Sequence, residues 1–271
     1  QANLNKLQIA NQVRDTTVKN AQDLGYVLPP SQVNKGSTTQ KIIEGVGGKI
    51  QTSQQASLKN QIVTNNVVKK ALNIADDEPL TIKAIDDIIS NSSKVYDDIS
   101  KLGTFKIDSK FTSNISKSID DYKKVIEQLP DRKIPKLDSL IKTLDTMEEI
   151  DASNIIVLVK ALQKENKALW KSTDDVSKLM QAKVQSSLAD DLLDLIGRNI
   201  DNIEGVDKSI IDTFKNNRVI IAKAHAVRNA FNSETGDVSA GLLAKNKYLT
   251  DELKTIADAY NLSPKSFQVI T

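Results

Sequence analysis

The chain has one histidine, His225, and histidine is the side chain best suited to general acid–base chemistry near neutral pH. A catalytic histidine needs a nucleophile or a carboxylate held close to it. Its neighbours Ala224 and Ala226 supply neither, and Lys223 and Arg228 are basic. No metal-binding or catalytic-triad spacing surrounds it. We therefore interpret His225 as a surface or interface residue rather than a general base.

A glycine-rich segment, Gly45–Lys49, is similar to a phosphate-binding loop in composition only. That loop requires two glycines separated by four residues, then Lys followed by Ser or Thr, so that backbone amides surround the phosphates. Here Ile50 follows the lysine, and no buried strand precedes the segment. We interpret the segment as a joint between helices, and the sequence predicts no cofactor.

Adjacent carboxylates occur at Asp86-Asp87, Asp97-Asp98, Asp120-Asp121, Asp174-Asp175 and Asp190-Asp191. Glycosidases use two carboxylates across a sugar-binding cleft, but adjacent acids point in different directions around a helix. Calcium loops need an Asp-x-Asp-x-Asp-Gly spacing that the chain lacks, and the absence of cysteine excludes disulfides and thiolate zinc sites. The sequence therefore predicts no catalytic residues and no metal site, and we expect a protein that is not an enzyme.

The composition favours helices packed through aliphatic side chains. Hydrophobic residues make up 39% of the 271 residues and aromatic residues only 4%, whereas sheet proteins favour aromatic and β-branched side chains. The 37 basic and 35 acidic residues nearly balance, which gives no electrostatic signature of general nucleic-acid binding. No apolar run approaches the ~18 residues of a membrane span, and no signal-peptide pattern is present.

Hydrophobic periodicity predicts an all-α fold, an elongated multi-helix array or bundle with short loops and an extended, proline-containing N-terminal linker. The clearest seam has spacings of four, four, three, four and three, and consists of Phe111, Ile115, Ile119, Tyr122, Ile126 and Leu129. A second long helix, over about residues 50–72, is rich in Gln and Asn, and we expect it to contact partners or copies of itself, or to lie against another helix. No stretch has convincing strand alternation.

Glycine and proline breaks suggest how the chain is divided. Residues 1–37 are predicted to form an N-terminal helical arm and linker. Residues 38–130 and 136–271 are predicted to form two helical domains, the alternative being one continuous body over 38–271. The connector between the two domains is bounded by prolines, which end helices.

Without catalytic residues, the candidate functional residues are those that could contact partners. They are Tyr26, Pro29 and Pro30 in the linker, Gln55 and Asn60 in the amide-rich helix, Trp170, and the basic residues Lys215, Arg218 and Lys223. Tryptophan is enriched at interface hot spots, although we favour a core position for this one. The basic residues predict a face that contacts DNA, with an affinity that falls steeply as salt rises.

Several segments together resemble a known family. In chain order they are Gly25–Asn34, Gly45–Ile50, Gln55–Asn65, Arg228–Asn232, Thr235–Ala240 and Leu249–Asp258. Their order is similar to that in a poorly characterised family of large virion proteins of tailed phages and prophages, treated as structural or DNA-ejection proteins. Relatives usually carry a proline after the Val-Asn of the first segment, where this chain has Lys35-Gly36.

The resemblance implies a role in the phage particle and supplies no catalytic residues. It implies an internal or ejection protein that assembles with portal, tail-tube or other ejection proteins and with its own copies, and that assists genome delivery. A static neck or tail adaptor, or a scaffold, is the alternative. The expected location is the interior or the portal–tail region of the virion, with delivery into the host envelope, and the chain is expected to be part of a longer polypeptide.

Overall fold

The computed structural model describes residues 2–33, 49–128, 135–169, 176–203, 206–207, 209–246 and 249–267. These residues are mainly helical, which confirms the predicted all-α fold. The α-helices are α1 (Ala2–Asp23), α2 (Pro30–Val33), α3 (Lys49–Ala71), α4 (Ile82–Ile99), α5 (Ser109–Gln128), α6 (Pro135–Thr146), α7 (Ala152–Leu169), α8 (Val176–Ile200), α9 (Ser209–Ala230), α10 (Ala240–Leu243) and α11 (Asp251–Leu262). A 3-10 helix, Pro264–Phe267, follows α11.

Within the described ranges, four very short strands accompany the helices. They are β1 (Thr104–Lys106), β2 (Glu149–Asp151), β3 (Phe231–Asn232) and β4 (Asp237–Val238). The first two pair antiparallel, with Phe105 opposite Ile150, and the last two form a hairpin whose turn contains Gly236 at φ +75°. No strands were predicted from the sequence, because two or three residues are too few to show alternation.

The chain divides into two compact units. Unit 1 contains Gln1–Ser92 and Arg218–Thr271, and unit 2 contains Ser93–Asn217. This division differs from the predicted segments 1–37, 38–130 and 136–271. The predicted boundaries were placed at local glycine and proline breaks, whereas a unit is defined by contacts between segments far apart in sequence.

Unit 2 is built around α8. Helix α8 packs against α7 and α5, and α5 also contacts α6. The predicted seam of α5 faces this core: Phe111, Ile115 and Tyr122 are buried and Ile119 is partly buried against them. The seam prediction is therefore confirmed over these four positions. Its last two positions lie outside the described side chains.

A row of polar pairs joins α8 to α5 and to the residues just before α5, Lys106 in β1 and Asp108. The pairs are Lys106 with Asn199, Asp108 with Arg198, Asn114 with Asp191, and Ser118 with Ser187. As residue number rises along one helix it falls along the other, so the two helices are antiparallel. Arg198 donates to both carboxylate oxygens of Asp108, at 2.5 and 2.9 Å, and this bond lowers the pKa of that carboxyl group. These directional bonds fix the register of α5 on α8.

Unit 1 brings the two ends of the chain together. Helix α11 packs against α1, α3 and α10, and the 3-10 helix lies against α3. The apolar core draws residues from both ends, among them Val18, Tyr26, Val68, Ile85, Val227, Leu253 and Ile256. Helix α3 contacts both α11 and the 3-10 helix, and its side chains bind several of the other segments of unit 1.

Candidate interaction surface

Helix α3 buries a polar face. Ser57, Asn60 and Thr64 are at most 1% exposed, and their spacing of three and four places them on one side of the helix. An amphipathic helix normally turns its apolar side to the core, and a buried polar group is costly unless it is hydrogen-bonded. Each polar group on the buried face of α3 therefore needs a hydrogen-bond partner.

Asn60 satisfies this requirement with three hydrogen bonds to backbone groups. Its Oδ1 accepts from the amide of Val27 at 2.7 Å, and its Nδ2 donates to the carbonyl of Val27 at 3.0 Å. The same Nδ2 donates to the carbonyl of Ser266 at 2.8 Å. One side chain thus ties the segment after α1 to the 3-10 helix near the other end of the chain.

Gln61 and Asn65 bind the β3–β4 hairpin in a similar way. The carbonyl of Val238 accepts from Gln61 Nε2, and its amide donates to Asn65 Oδ1, both at 3.0 Å. Asn65 Nδ2 also donates to the carboxylate of Asp237 at 2.8 Å. The side-chain amides of Gln61 and Asn65 thus make the backbone hydrogen bonds that a neighbouring strand would otherwise make to this short hairpin. We call Asn60, Gln61, Thr64 and Asn65 the polar clamp.

Tyr26 belongs to the same network. Its hydroxyl group lies 3.1 Å from Thr64 Oγ1, and its ring centroid lies 5.3 Å from that of Phe267. Burial raises the pKa of Tyr26 to about 12, although the bond to Thr64 lowers it. Tyr26 and Asn60 were predicted to contact partners, but both are buried with their bonds made inside unit 1. That interpretation does not fit their placement.

The two prolines of the predicted linker begin a helix instead of an extended path. The half-buried Pro29 accepts hydrogen bonds on its carbonyl from Gln32 and Val33, and the exposed Pro30 occupies the first position of α2. Proline suits that position because the first helical amides have no partner within the helix. Arg14 donates to the carbonyl of Gln32, so α2 is also tied to α1.

The predicted basic residues of α9 have different surroundings. Lys215 is exposed and Arg218 is half-buried. The side chain of Lys223 is only 14% exposed, and its Nζ lies 3.2 Å from Asp251 and 3.3 Å from Glu252. Because two carboxylates already surround its ammonium group, Lys223 does not contribute to a DNA-binding face in this conformation.

The acids that hold Lys223 are those expected in the first turn of α11. Thr250 is the N-cap residue, although its side chain makes no capping bond. Asp251 has a φ of +50°, a left-handed conformation that is uncommon for residues other than glycine. The ion pair with Lys223 therefore lies at a left-handed start of α11.

The remaining candidates are spread over the chain. Gln55 is exposed on α3, on the side opposite the clamp, and His225 is exposed on α9. Trp170 and the glycine-rich residues 45–48 lie outside the described residues, and Lys49 begins α3. The described residues contain no group of acidic and histidine side chains arranged to hold a metal ion. Among the described helices, none is both long and apolar enough to cross a membrane.

Sequence reasoning missed the polar clamp, although its signal is visible in the sequence. Ser57, Asn60, Gln61, Thr64 and Asn65 recur at helical spacing, next to the apolar residues that continue the same face toward the end of α3. A stripe of small polar residues in line with an apolar stripe indicates a face that is buried and hydrogen-bonded. We instead predicted that Gln55 and Asn60 contact partners.

Comparison of the chain with protein-family models, curated proteins and solved structures gave no significant match.

Proposed function

We propose that this chain is a structural component of a tailed-phage particle, an internal protein that leaves with the genome and assists its delivery. The proposal begins from the resemblance of its two end regions to phage virion proteins. It assigns the protein no enzymatic activity and places it in the interior or the portal–tail region of the virion. Its proposed partners are portal, tail-tube and other ejection proteins, copies of itself, and packaged DNA.

The observation that supports the proposal most is where the resembling segments lie. Among their described residues, the segments that begin at Gly25, Gln55, Arg228, Thr235 and Leu249 all belong to unit 1. Several contact one another directly through the polar clamp. Scattered similarities would have no reason to meet in one folded unit. Their location in one unit supports the interpretation that this chain and the phage virion proteins have a folded unit in common, and so supports the family resemblance on which the proposal depends.

Chemical features of the chain suit passage through a narrow tube. The chain has no cysteine, so no disulfide bond has to be broken before the helices separate. Its helices depend on tertiary packing for their stability, because isolated helices of this length are marginal in water. Unit 1 is also tied by side-chain hydrogen bonds, which water can replace when the unit opens.

Quantitative mass spectrometry of purified particles before and after triggered DNA release tests the proposal. Peptides from both units should be present in full particles and depleted together from emptied ones, relative to the major capsid protein. Equal amounts before and after release would support the alternative, a static neck or tail adaptor. Absence from full particles would refute any role in the virion.

A further inference from the structure

The outward face of α3 has an unusual composition for a solvent-exposed surface. Leu58 and Ile62 are 55% and 61% exposed, although the same helix buries Asn60 and Thr64 completely. Over this part of α3, the polar side chains therefore face the core and the large aliphatic side chains face solvent. The packing of unit 1 does not require the two aliphatic residues, since they lie opposite its core.

This face also carries only one sign of charge. Helix α3 contains four lysines, Lys49, Lys59, Lys69 and Lys70, and no acidic residue. Lys59 and Lys70 are exposed, and neither is paired with a carboxylate within the part of the chain that the structure describes. Lys69 is half-buried and donates to the carbonyl of Asp76.

The exposed residues form a straight stripe. Gln55, Lys59, Ile62, Asn66 and Lys70 follow one another at spacings of four, three, four and four, which keeps them on one side of a helix. The stripe spans 16 residues, or about 22 Å from its first to its last Cα atom at ~1.5 Å per step. Its length and straightness match a second helix laid along it, with Ile62 at the centre.

We infer that the outward face of α3 binds an acidic amphipathic helix of another protein. The apolar side of that helix would cover Leu58 and Ile62, and its carboxylates would pair with Lys59 and Lys70. The lysine charges are complementary to such a partner, and the central aliphatic pair supplies the apolar contact of a helix-on-helix interface. DNA fits less well, because it would lay phosphates over two aliphatic side chains. The inference goes beyond the proposed function and does not depend on it.

The test uses fluorescence anisotropy with the whole protein and a labelled synthetic helix of about 20 residues. The peptide carries leucines at alternating spacings of three and four, and glutamates on both flanks. Micromolar binding is expected for it, and at least tenfold weaker binding for the same peptide with lysines in place of the glutamates. Raising the salt concentration should weaken the binding, because the flanking pairs are exposed.

Surface variants locate the binding site. The double variant Leu58→Ser/Ile62→Ser and the double variant Lys59→Gln/Lys70→Gln should each weaken binding at least tenfold, and the lysine variant should also reduce its salt dependence. Val157→Ser is the matched control, because this valine is 67% exposed on α7, and it should leave the affinity unchanged. Circular dichroism checks that all three variants fold.

Several results would overturn the inference. The first is an acidic peptide that does not bind, or that binds both double variants as well as the wild type. The others use a duplex DNA of about 20 base pairs, phosphatidylglycerol vesicles and sedimentation velocity. Binding of DNA or vesicles that depends on the same four residues would assign the face to those ligands. Self-association that the same substitutions abolish would assign it to a second copy of the chain.

Discussion

Replacing Asn60 by alanine tests whether the polar clamp holds unit 1 together. The substitution removes three hydrogen bonds and leaves the amide and carbonyl of Val27 and the carbonyl of Ser266 without their partner. A buried hydrogen bond contributes about 1 kcal/mol net, and a group left unpaired costs about 1–3 kcal/mol. Val27 is only partly buried, so water can replace some of its bonds. We therefore expect a loss of about 3 kcal/mol in the free energy of unfolding.

The assay combines urea denaturation with hydrogen exchange of individual backbone amides measured by NMR. With a urea m-value of about 2 kcal/mol per molar, the transition of unit 1 should move down by about 1.5 M. The amide of Val27 should exchange at least tenfold faster than in the wild type, because its acceptor is gone. Amides in the α5–α8 contact of unit 2 should keep their protection.

Asn66→Ala is the matched control. Asn66 is exposed on the same helix, so both substitutions change helix propensity equally, and this one should stay within about 0.5 kcal/mol of the wild type. Asn60 does not hold unit 1 together if Asn60→Ala destabilises no more than Asn66→Ala, or if the Val27 amide stays protected in the Asn60 variant. Either result would mean that apolar packing alone holds the segment after α1.

Three further predictions concern other parts of the structure. Asp108→Asn should cost about 1 kcal/mol at pH 7 after allowance for solvent screening. Because the pKa of Asp108 is lowered on folding, urea melts should show this difference disappearing as the pH falls below ~3.8 and through its folded pKa. Folding raises the pKa of Tyr26 from 10.0 to about 12, so the wild type should lose about 2 kcal/mol of stability as the pH rises from 9 to 11.5, and Tyr26→Phe should lack this loss. Melts of both proteins at these two pH values measure it, and equal losses would contradict it. Gly241→Ala should be less favourable than Gly197→Ala by about 1–3 kcal/mol in thermal melts, because a Cβ at Gly241 would lie 3.0 Å from the Tyr260 side chain and force it to shift, whereas a Cβ at Gly197 in α8 would meet open space.

The fold class was predictable from local patterns, whereas the assembly of the units was not. The spacing of Phe111, Ile115 and Tyr122 is enough to orient α5, because a helix with one continuous apolar stripe can bury only that side. The partner of Asn60 could not be predicted, because Ser266 lies 206 residues away and no local pattern records such a contact. The bounds of unit 1 depend on such long-range contacts, so they differ from the domain segments predicted from local breaks.

The predicted interaction residues illustrate a second limit. Polar side chains on a helix were interpreted as solvent- or partner-facing, which describes Gln55 but not Asn60. The basic residues of α9 were considered without the acids of α11 that surround Lys223. The sequence identifies side chains that are chemically able to bind a partner, whereas the fold determines which of them are already bonded to other residues of the same chain.

The discontinuous composition of unit 1 has a consequence for the order of events during synthesis. Unit 2 is one continuous stretch, so it can acquire all of its contacts as soon as it leaves the ribosome. The first 92 residues have to wait until the segment from Arg218 onward has been made, because the backbone groups that bind Asn60 and Asn65 come partly from there. During that interval the buried polar face of α3 has only its own helix and the segment around Val27 to bond with. During this interval, the first 92 residues are therefore most accessible to chaperones and to non-native contacts.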